Sequence, residues 1–392
     1  LKPKNSRISK NRIIPAGIPS DAGEIIEISI ESLSYHGGRG VGRYDGMVVF
    51  VGGVVPQDVV RVRVTLKKSR LWEAELVEVV TASPLRRTPP CPVADRCGGC
   101  SWQQVSYIEQ VVQKEKIVRD SLRGLVQYGV WETLPFLRAP SEFHYRNRIQ
   151  LHFRGKNKGF FAKRSRELVA IEKCFIADER LNQKMKDLEA ADGAKVEIAL
   201  DQSGEVLMMA GDRDPEAALF SQVNEAQNEV LKTRLLEMIT VKPAWLMDLY
   251  AGSGNLTIPL AERFSGIMIT AVEFSQRAVE RGQKASSNFP GLHWMAADAG
   301  EGLTNIKKQN GEGLIVLDPP RVGVSQQVCE QLLRHSPQQI VYVSCNPSTF
   351  ARDVEKLVQH GDFRLEKVQA LDMFPQTEHV ELIGSLLRRK LA

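Results

Sequence analysis

No apolar run in this chain of 392 residues approaches the ~18 positions a membrane span needs. The start of the chain also lacks the order of charged, apolar and small residues that marks a secretory leader. A cytoplasmic protein is therefore the expectation, although the chain opens on Leu1 rather than Met and leaves an earlier targeting segment open. Neither sign of charge dominates: 52 Lys and Arg stand against 47 Asp and Glu, a net +5. Cysteine is scarce, six residues in all, and disulfides are disfavoured in a chain of cytosolic character. A hydrophobic content of 43% is ordinary for a soluble protein, and the length suits two or three domains with real cores.

The modest charge is unevenly spread. Arg138 to Lys173 holds ten Lys or Arg against three acidic residues, and residues 1–12 hold five basic residues and no acidic one. Such blocks suit a polyanionic partner, because each phosphate neutralised releases a counterion. In the larger block Phe143, Tyr145, Phe153, Phe160 and Phe161 alternate with the cations. Single-stranded RNA readers stack unpaired bases on rings in this way, and ordinary strands also bury such aromatics. Residues 24–80 read as short alternating strands broken by glycine-rich turns, a pattern that suggests a small barrel, and five-stranded barrels of this size often bind oligonucleotides. Pro84 to Pro90 reads as a stiff linker, and Gln103 to Val126 as an amphipathic helix.

Cys91, Cys97 and Cys100, in the spacing C-x5-C-G-G-C, are too concentrated for chance core residues, and Cys174 is the candidate for a fourth thiolate. Both zinc and an iron-sulfur cluster accept four thiolates, and the spacing alone selects neither. Cys329 falls on the apolar face of an expected helix, as a core residue does.

From Phe220 onward strands and helices alternate. In WLMDLYAGSGNLT a strand runs into a glycine turn and a helix, and Glu273 closes the next strand, 21 residues after Gly252. An acid there suits a ribose hydroxyl pair. Thr257 stands where a dinucleotide fingerprint has its third glycine, which favours a nucleoside cofactor without phosphates. Asp298 ends a further strand, within reach of an adenine edge, and Asp318 is held rigid by Pro319 and Pro320. In QIVYVSCNPSTF a β-branched strand stops at Cys345, where Pro347 cannot continue it and Ser348 or Thr349 can cap a helix. Open α/β sheets place their chemistry at such strand ends.

These segments together resemble the S-adenosylmethionine-dependent RNA 5-methyluridine methyltransferases, in the branch with an amino-terminal TRAM barrel and an iron-sulfur cluster. The resemblance runs from about residue 22 to the end. It rests on the cysteine pattern with distant Cys174, FSQVN at Phe220–Asn224, DLYAGSGNLT, LDPPR, SCNP and QTEHVE. It implies a [4Fe-4S] cluster on Cys91, Cys97, Cys100 and Cys174, and cofactor contacts from Gln222, Tyr250, Asn255, Glu273, Asp298 and Asp318. Cys345 matches the family nucleophile and Glu378 is taken as its general base.

The expected architecture is multidomain α/β. An OB-like TRAM β-barrel, binding RNA, is expected over residues 22–82, and a central α+β iron-sulfur domain over 83–215. A Rossmann-like S-adenosylmethionine-dependent methyltransferase domain is expected over 216–392, with the helix near Gln103 packed on it. The expected activity is methyl transfer to C5 of a flipped-out uridine in structured RNA, 23S rRNA first, through a covalent Cys345–C6 adduct, by a monomeric enzyme. The same reaction on tRNA, a catalytically silent RNA-binding protein and a cluster-dependent redox enzyme are the alternatives. Cys345 together with Glu378 argues against the silent protein, and the cysteine spacing argues against radical chemistry.

Overall fold

The computed structural model describes residues 23–201, 203–210, 222–307, 309–359 and 362–389. The basic run at residues 1–12 and Phe220–Ser221 lie outside these. The chain divides into two compact units, one running to Thr88 and adding Gln104–Ser106, the other formed by Pro89–Gln103 and Tyr107–Ala392.

The first unit is a closed barrel of β1 (Ile25–Leu33), β2 (Gly40–Tyr44), β3 (Met47–Val51), β4 (Val59–Lys67) and β5 (Leu71–Thr81), in the order β1-β2-β3-β5-β4. Period-two alternation sends Ile26, Ile28 and Ile30 of β1 and Val60, Val62 and Val64 of β4 into its interior. The proline-rich stretch expected as a linker is tied down instead. Arg86 forms an ion pair with the fully buried Asp58, and Arg87 and Ser106 join Leu85–Arg87 to Gln104–Ser106 by backbone hydrogen bonds. Proline restricts the chain, but a buried carboxylate needs its partner and fixes the segment.

The second unit starts with the cysteine segment and α1 (Tyr107–Leu122), followed by a 3-10 turn over Arg123–Tyr128 and the short β6 (Glu132–Thr133). Then come β7 (Arg148–Arg154), β8 (Asn157–Phe161), β9 (Leu168–Ala170), α2 (Glu179–Lys186), β10 (Lys195–Leu200) and β11 (Val206–Ala210). These five strands form one sheet, ordered β11-β10-β7-β8-β9, and α2 contributes Leu181 and Met185 to its core. Phe153 belongs to that core, Phe161 stacks on His152 at 3.9 Å between ring centres, and the Tyr145 hydroxyl donates to the Pro375 carbonyl. Packing therefore occupies three of the aromatics expected as base-stacking platforms.

The remainder alternates: α3 (Glu225–Met238), β12 (Trp245–Leu249), α4 (Thr257–Arg263), β13 (Met268–Glu273), α5 (Gln276–Ala285), β14 (Leu292–Ala296), α6 (Ala299–Asn305) and β15 (Gly313–Leu317). After these come α7 (Gln326–His335), β16 (Gln339–Ser344), α8 (Pro347–Val358), β17 (Phe363–Leu371) and β18 (Glu381–Arg388). An eight-stranded sheet runs β14-β13-β12-β15-β16-β18-β17-β6. β12 to β16 pair in parallel and β18 is antiparallel to both neighbours. Strands covered on both faces have continuous apolar runs, and β12, β15 and β16 are buried throughout. One face carries α6, α7 and α8 together with Val118 and Leu122 of α1, so that helix does pack on this sheet. The other face carries α3 and α4. Strand order reverses at β12, which opens a crevice at the carboxyl ends of β12 and β15.

Candidate active site

The glycine turn after β12 is built on left-handed backbone: Tyr250 has φ +63°, Gly252 +56° and Gly254 +103°. The two glycines adopt this without a Cβ penalty, whereas Tyr250 bears strain and is held in place by its surroundings. Glu273, at the end of β13, accepts from Gly252 N at 3.0 Å with one oxygen and from Ser275 N at 2.9 Å with the other. The acid expected at a ribose thus also pins the turn, and each oxygen keeps a lone pair for a ligand.

A small cleft at the turn is lined by Gln222, Asp248, Tyr250, Asn255 and Asp318, with backbone from Ala251 to Ser253. Four of the six expected cofactor residues therefore converge there. Asn255 exchanges two hydrogen bonds with Asn228, at 2.8 and 3.0 Å. Asp298 does not line the cleft. Its carboxylate caps α6, accepting from Gly300 N at 2.8 Å.

Sequence reasoning missed Asp248, which reads as one polar interruption of a buried strand. It accepts from the Thr257 hydroxyl at 2.5 Å, and its other oxygen is buried without a hydrogen-bond partner. Burial, helped by Asp318 and Glu273, pushes its carboxyl up to about 7. Asp318 touches solvent, yet burial raises it to about 7 as well. Clustered carboxylates in a poorly solvated cleft suit a cationic ligand.

Cys345 directly follows β16. The helix cap expected from Ser348 or Thr349 is made by Asn346, whose side chain accepts from Ser348 N, with Pro347 in the first helical turn. Asn346 also donates to the Arg321 carbonyl at 3.1 Å, which joins the loops after β15 and β16. The β16–β18 ladder pairs Ser344 with Leu382, so its next step sets Cys345 opposite Glu381. Burial raises Cys345 to about 11, Glu381 and Asp318 add to the rise, and the Arg321 guanidinium opposes it. Glu381 itself is 2% exposed, and burial with Asp318 nearby holds its carboxyl well above the usual range.

The register brings a different carboxylate opposite Cys345 from the Glu378 expected to serve it. Glu378 lies in the loop before β18 and accepts from the Ser101 hydroxyl at 2.5 Å. Glu381, three residues on, falls opposite Cys345 in the extended register and acts on its thiol electrostatically. His379 is kept neutral at about 4 by burial, so its Nε2 accepts from Arg321 at 3.2 Å.

The four remaining candidate ligands meet elsewhere in the unit. Cys91, Cys97, Cys100 and Cys174 line one cavity of about 360 Å3, with Lys163, Arg146 and Phe160 in the same wall. Gly98 packs its backbone on β8, where a Cβ would come within 2.9 Å of the Phe161 carbonyl. Gly99 N donates to Cys97 Sγ at 3.4 Å. Burial raises Cys97 and Cys174, and pushes Cys100 up to about 12. Thiolates in this setting need a compensating cation, as a metal centre supplies. Among the described residues no three His, Cys, Asp or Glu side chains converge tightly enough to hold a single ion. Cys329 is a buried core residue, as expected.

Two family profiles match the chain: the TRAM domain over residues 19–77, and the family described as tRNA (Uracil-5-)-methyltransferase over residues 301–390. An uncharacterized RNA methyltransferase of Bdellovibrio bacteriovorus is 36% identical, covering 93% of this chain and 95% of the relative. The 23S rRNA (uracil(1939)-C(5))-methyltransferase RlmD of Dichelobacter nodosus is 31% identical, over 92% and 98%. Among solved structures, the Pyrococcus abyssi tRNA (uracil-54, C5)-methyltransferase in complex with S-adenosyl-L-homocysteine superposes with a TM-score of 0.71. It is 23% identical, over 92% of this chain and 100% of that one, a likeness of fold.

Proposed function

The chain belongs to the RNA uracil-5-methyltransferase family, and from that premise we propose that it methylates C5 of a flipped-out uridine in 23S rRNA, with S-adenosylmethionine as donor and Cys345 as nucleophile. The observation that carries this reading is that Cys345 follows β16 in register with Glu381 and within the electrostatic reach of Glu381 and Asp318, at the carboxyl edge of a sheet whose switch point holds an acidic cleft. Ribosomal RNA is preferred over tRNA because relatives named for it match nearly the whole chain at about 30% identity.

C5 of uracil is too weak a nucleophile to take a methyl group unaided. S-adenosylmethionine, bound in the acidic cleft, supplies a methyl group on a cationic sulfur. Cys345 Sγ, as the thiolate, adds to C6, and the C5–C6 electron pair moves into an enolate that makes C5 reactive toward that methyl. Glu381, in place of Glu378 and as its carboxylate, which the cofactor's positive charge beside Asp318 favours, then takes the C5 proton. The freed pair restores the C5–C6 double bond and expels the Cys345 thiolate. Gln222, Tyr250, Asn255, Asp318 and Asp248 line the cofactor cleft, Glu273 holds the turn over it, and Asp298 orders α6. A positive charge beside Asp318 offsets the field that keeps Cys345 protonated, so filling the cleft favours the thiolate.

Cys91, Cys97, Cys100 and Cys174 would hold a [4Fe-4S] cluster. Methyl transfer moves no net electrons, so such a cluster would contribute by shaping the fold. The test of function is to map 5-methyluridine in 23S rRNA from a strain lacking the protein. One site is expected to lose its methyl group and to regain it with the native gene but not with Cys345→Ala. Loss confined to tRNA would overturn the substrate.

A further inference from the structure

Residues 372–380 link β17 to β18 and deliver Glu381 to its place, yet among the described residues they form neither strand nor helix. Their polar groups are held largely from outside. Lys114 Nζ donates to Asp372 at 2.6 Å and to the Phe374 carbonyl at 3.0 Å, Asn224 to the Met373 carbonyl at 3.2 Å, and Tyr145 to the Pro375 carbonyl at 3.0 Å. Gln376 sits at φ +69°, left-handed for a non-glycine residue, and its N–H donates to Gln110 Oε1 at 2.9 Å. Such a conformation persists only where neighbours over-determine it.

Three of these outside bonds come from the two residues directly after Cys100. Ser101 N and Trp102 N both donate to the Gln376 carbonyl, at 3.1 and 3.0 Å. Ser101 Oγ donates to Glu378, which is 8% exposed. Trp102 is fully buried, so this stretch cannot shift without moving a large side chain. One peptide bond thus separates a wall of the cysteine cavity from the brace on the strand that carries Glu381.

We propose that Ser101 and Glu378 are positioning residues. Their hydrogen bond, with the two amide bonds to Gln376, couples the cysteine-lined site to the placement of Glu381 and so sets the rate at which methylated RNA is released from Cys345. This inference rests on the reading of Cys345 and Glu381 given above. The affected step breaks the C5–H bond, passes the proton to Glu381, forms the C5–C6 double bond and breaks the S–C6 bond.

The test uses the full-length protein with an RNA substrate and S-adenosylmethionine, and measures kcat, KM for RNA, bound metal and the fraction of protein trapped as a denaturation-resistant RNA complex. Ser101→Ala is expected to keep its metal and its KM within about twofold while kcat falls about tenfold, the scale of a partly misplaced general base. The trapped fraction is expected to rise several-fold, and Ser101→Thr to reverse both effects. Glu378→Ala, which removes the same bond from the other side, is expected to match Ser101→Ala and replaces it if that variant loses metal. Glu378→Gln, which keeps an acceptor, is expected to shift the trapped fraction less. Native kcat and trapped fraction in Ser101→Ala or Glu378→Ala overturn the proposal, provided Glu381→Gln accumulates the complex. If Glu381→Gln accumulates none, the assignment of Glu381 as base falls instead, and accumulation by Glu378→Gln alone returns that role to Glu378.

Discussion

Several residues of the two candidate sites have charged forms that their surroundings resist. Asp248 is the clearest case: its carboxyl is raised to about 7 by burial in β12, with Asp318 and Glu273 adding to the effect. A carboxyl moved from about 4 to about 7 corresponds to ~4 kcal/mol between the two protonation states. The sign follows from linkage. The folded state holds the proton more tightly than the unfolded chain, so this contribution is complete below about pH 4 and is lost as pH rises through about 7. The protein without ligand is expected to lose about 1–2 kcal/mol of stability between pH 6 and pH 8 from this group. Asp248→Asn is expected to flatten that part of the profile in denaturant unfolding at the two pH values. An unchanged slope in the variant would mean that Asp248 is ionised throughout. The same field bears on Cys345, whose thiol stands near 11 with Glu381 and Asp318 against ionisation and Arg321 in favour.

At the scale of elements, α1 joins parts of the chain far apart in sequence. Lys114, fully buried, pairs with fully buried Asp372, 258 positions later, and burial lowers the lysine's pKa while the aspartate opposes that shift. Removing one partner of such a pair leaves an uncompensated charge and costs about 3–5 kcal/mol. Lys114→Met is expected to lower the unfolding free energy by that amount, and Lys114→Met with Asp372→Leu to recover much of it. Equal losses in single and double variants would show that packing, not charge, governs the position.

The strands ending at Glu273 and just before Asp318 and Cys345 were legible in the sequence, because short β-branched or apolar runs cut off by polar residues, glycine or proline read as buried parallel strands. The cap on α8 was placed two or three residues late, since Asn346, Ser348 and Thr349 are all competent caps and the backbone at Asn346 decides among them. The choice between Glu378 and Glu381 was not legible. They stand three residues apart in one short segment, and only the start of β18 at Glu381 and its register with β16 separate them. Asp248 and the Lys114–Asp372 pair escaped for a related reason. An isolated polar residue in an apolar run has no visible partner until the chain is folded.

At the scale of the molecule, the chain combines a barrel unit with a larger unit in which the cysteine cavity and the proposed catalytic pair are joined by the brace through Ser101. Among the described residues no helix is long and apolar enough to cross a membrane. If the four cysteines hold a cluster, anaerobically purified protein is expected to be brown and to carry about four irons per chain. Colourless protein with stoichiometric zinc would replace the cluster with a single ion. Stripping the metal is expected to weaken RNA binding and protease resistance before it affects the chemistry, because the proposed reaction is redox-neutral. The most direct test of the covalent mechanism uses RNA in which uridine is replaced by 5-fluorouridine, whose C5 fluorine cannot leave as a proton does. After incubation with S-adenosylmethionine and nuclease digestion, peptide mass spectrometry is expected to find a methylated fluorouridine nucleotide on Cys345, and none with Cys345→Ala. Methyl transfer by the native protein to ordinary RNA, with no adduct on Cys345 from the fluorinated RNA, would contradict the account.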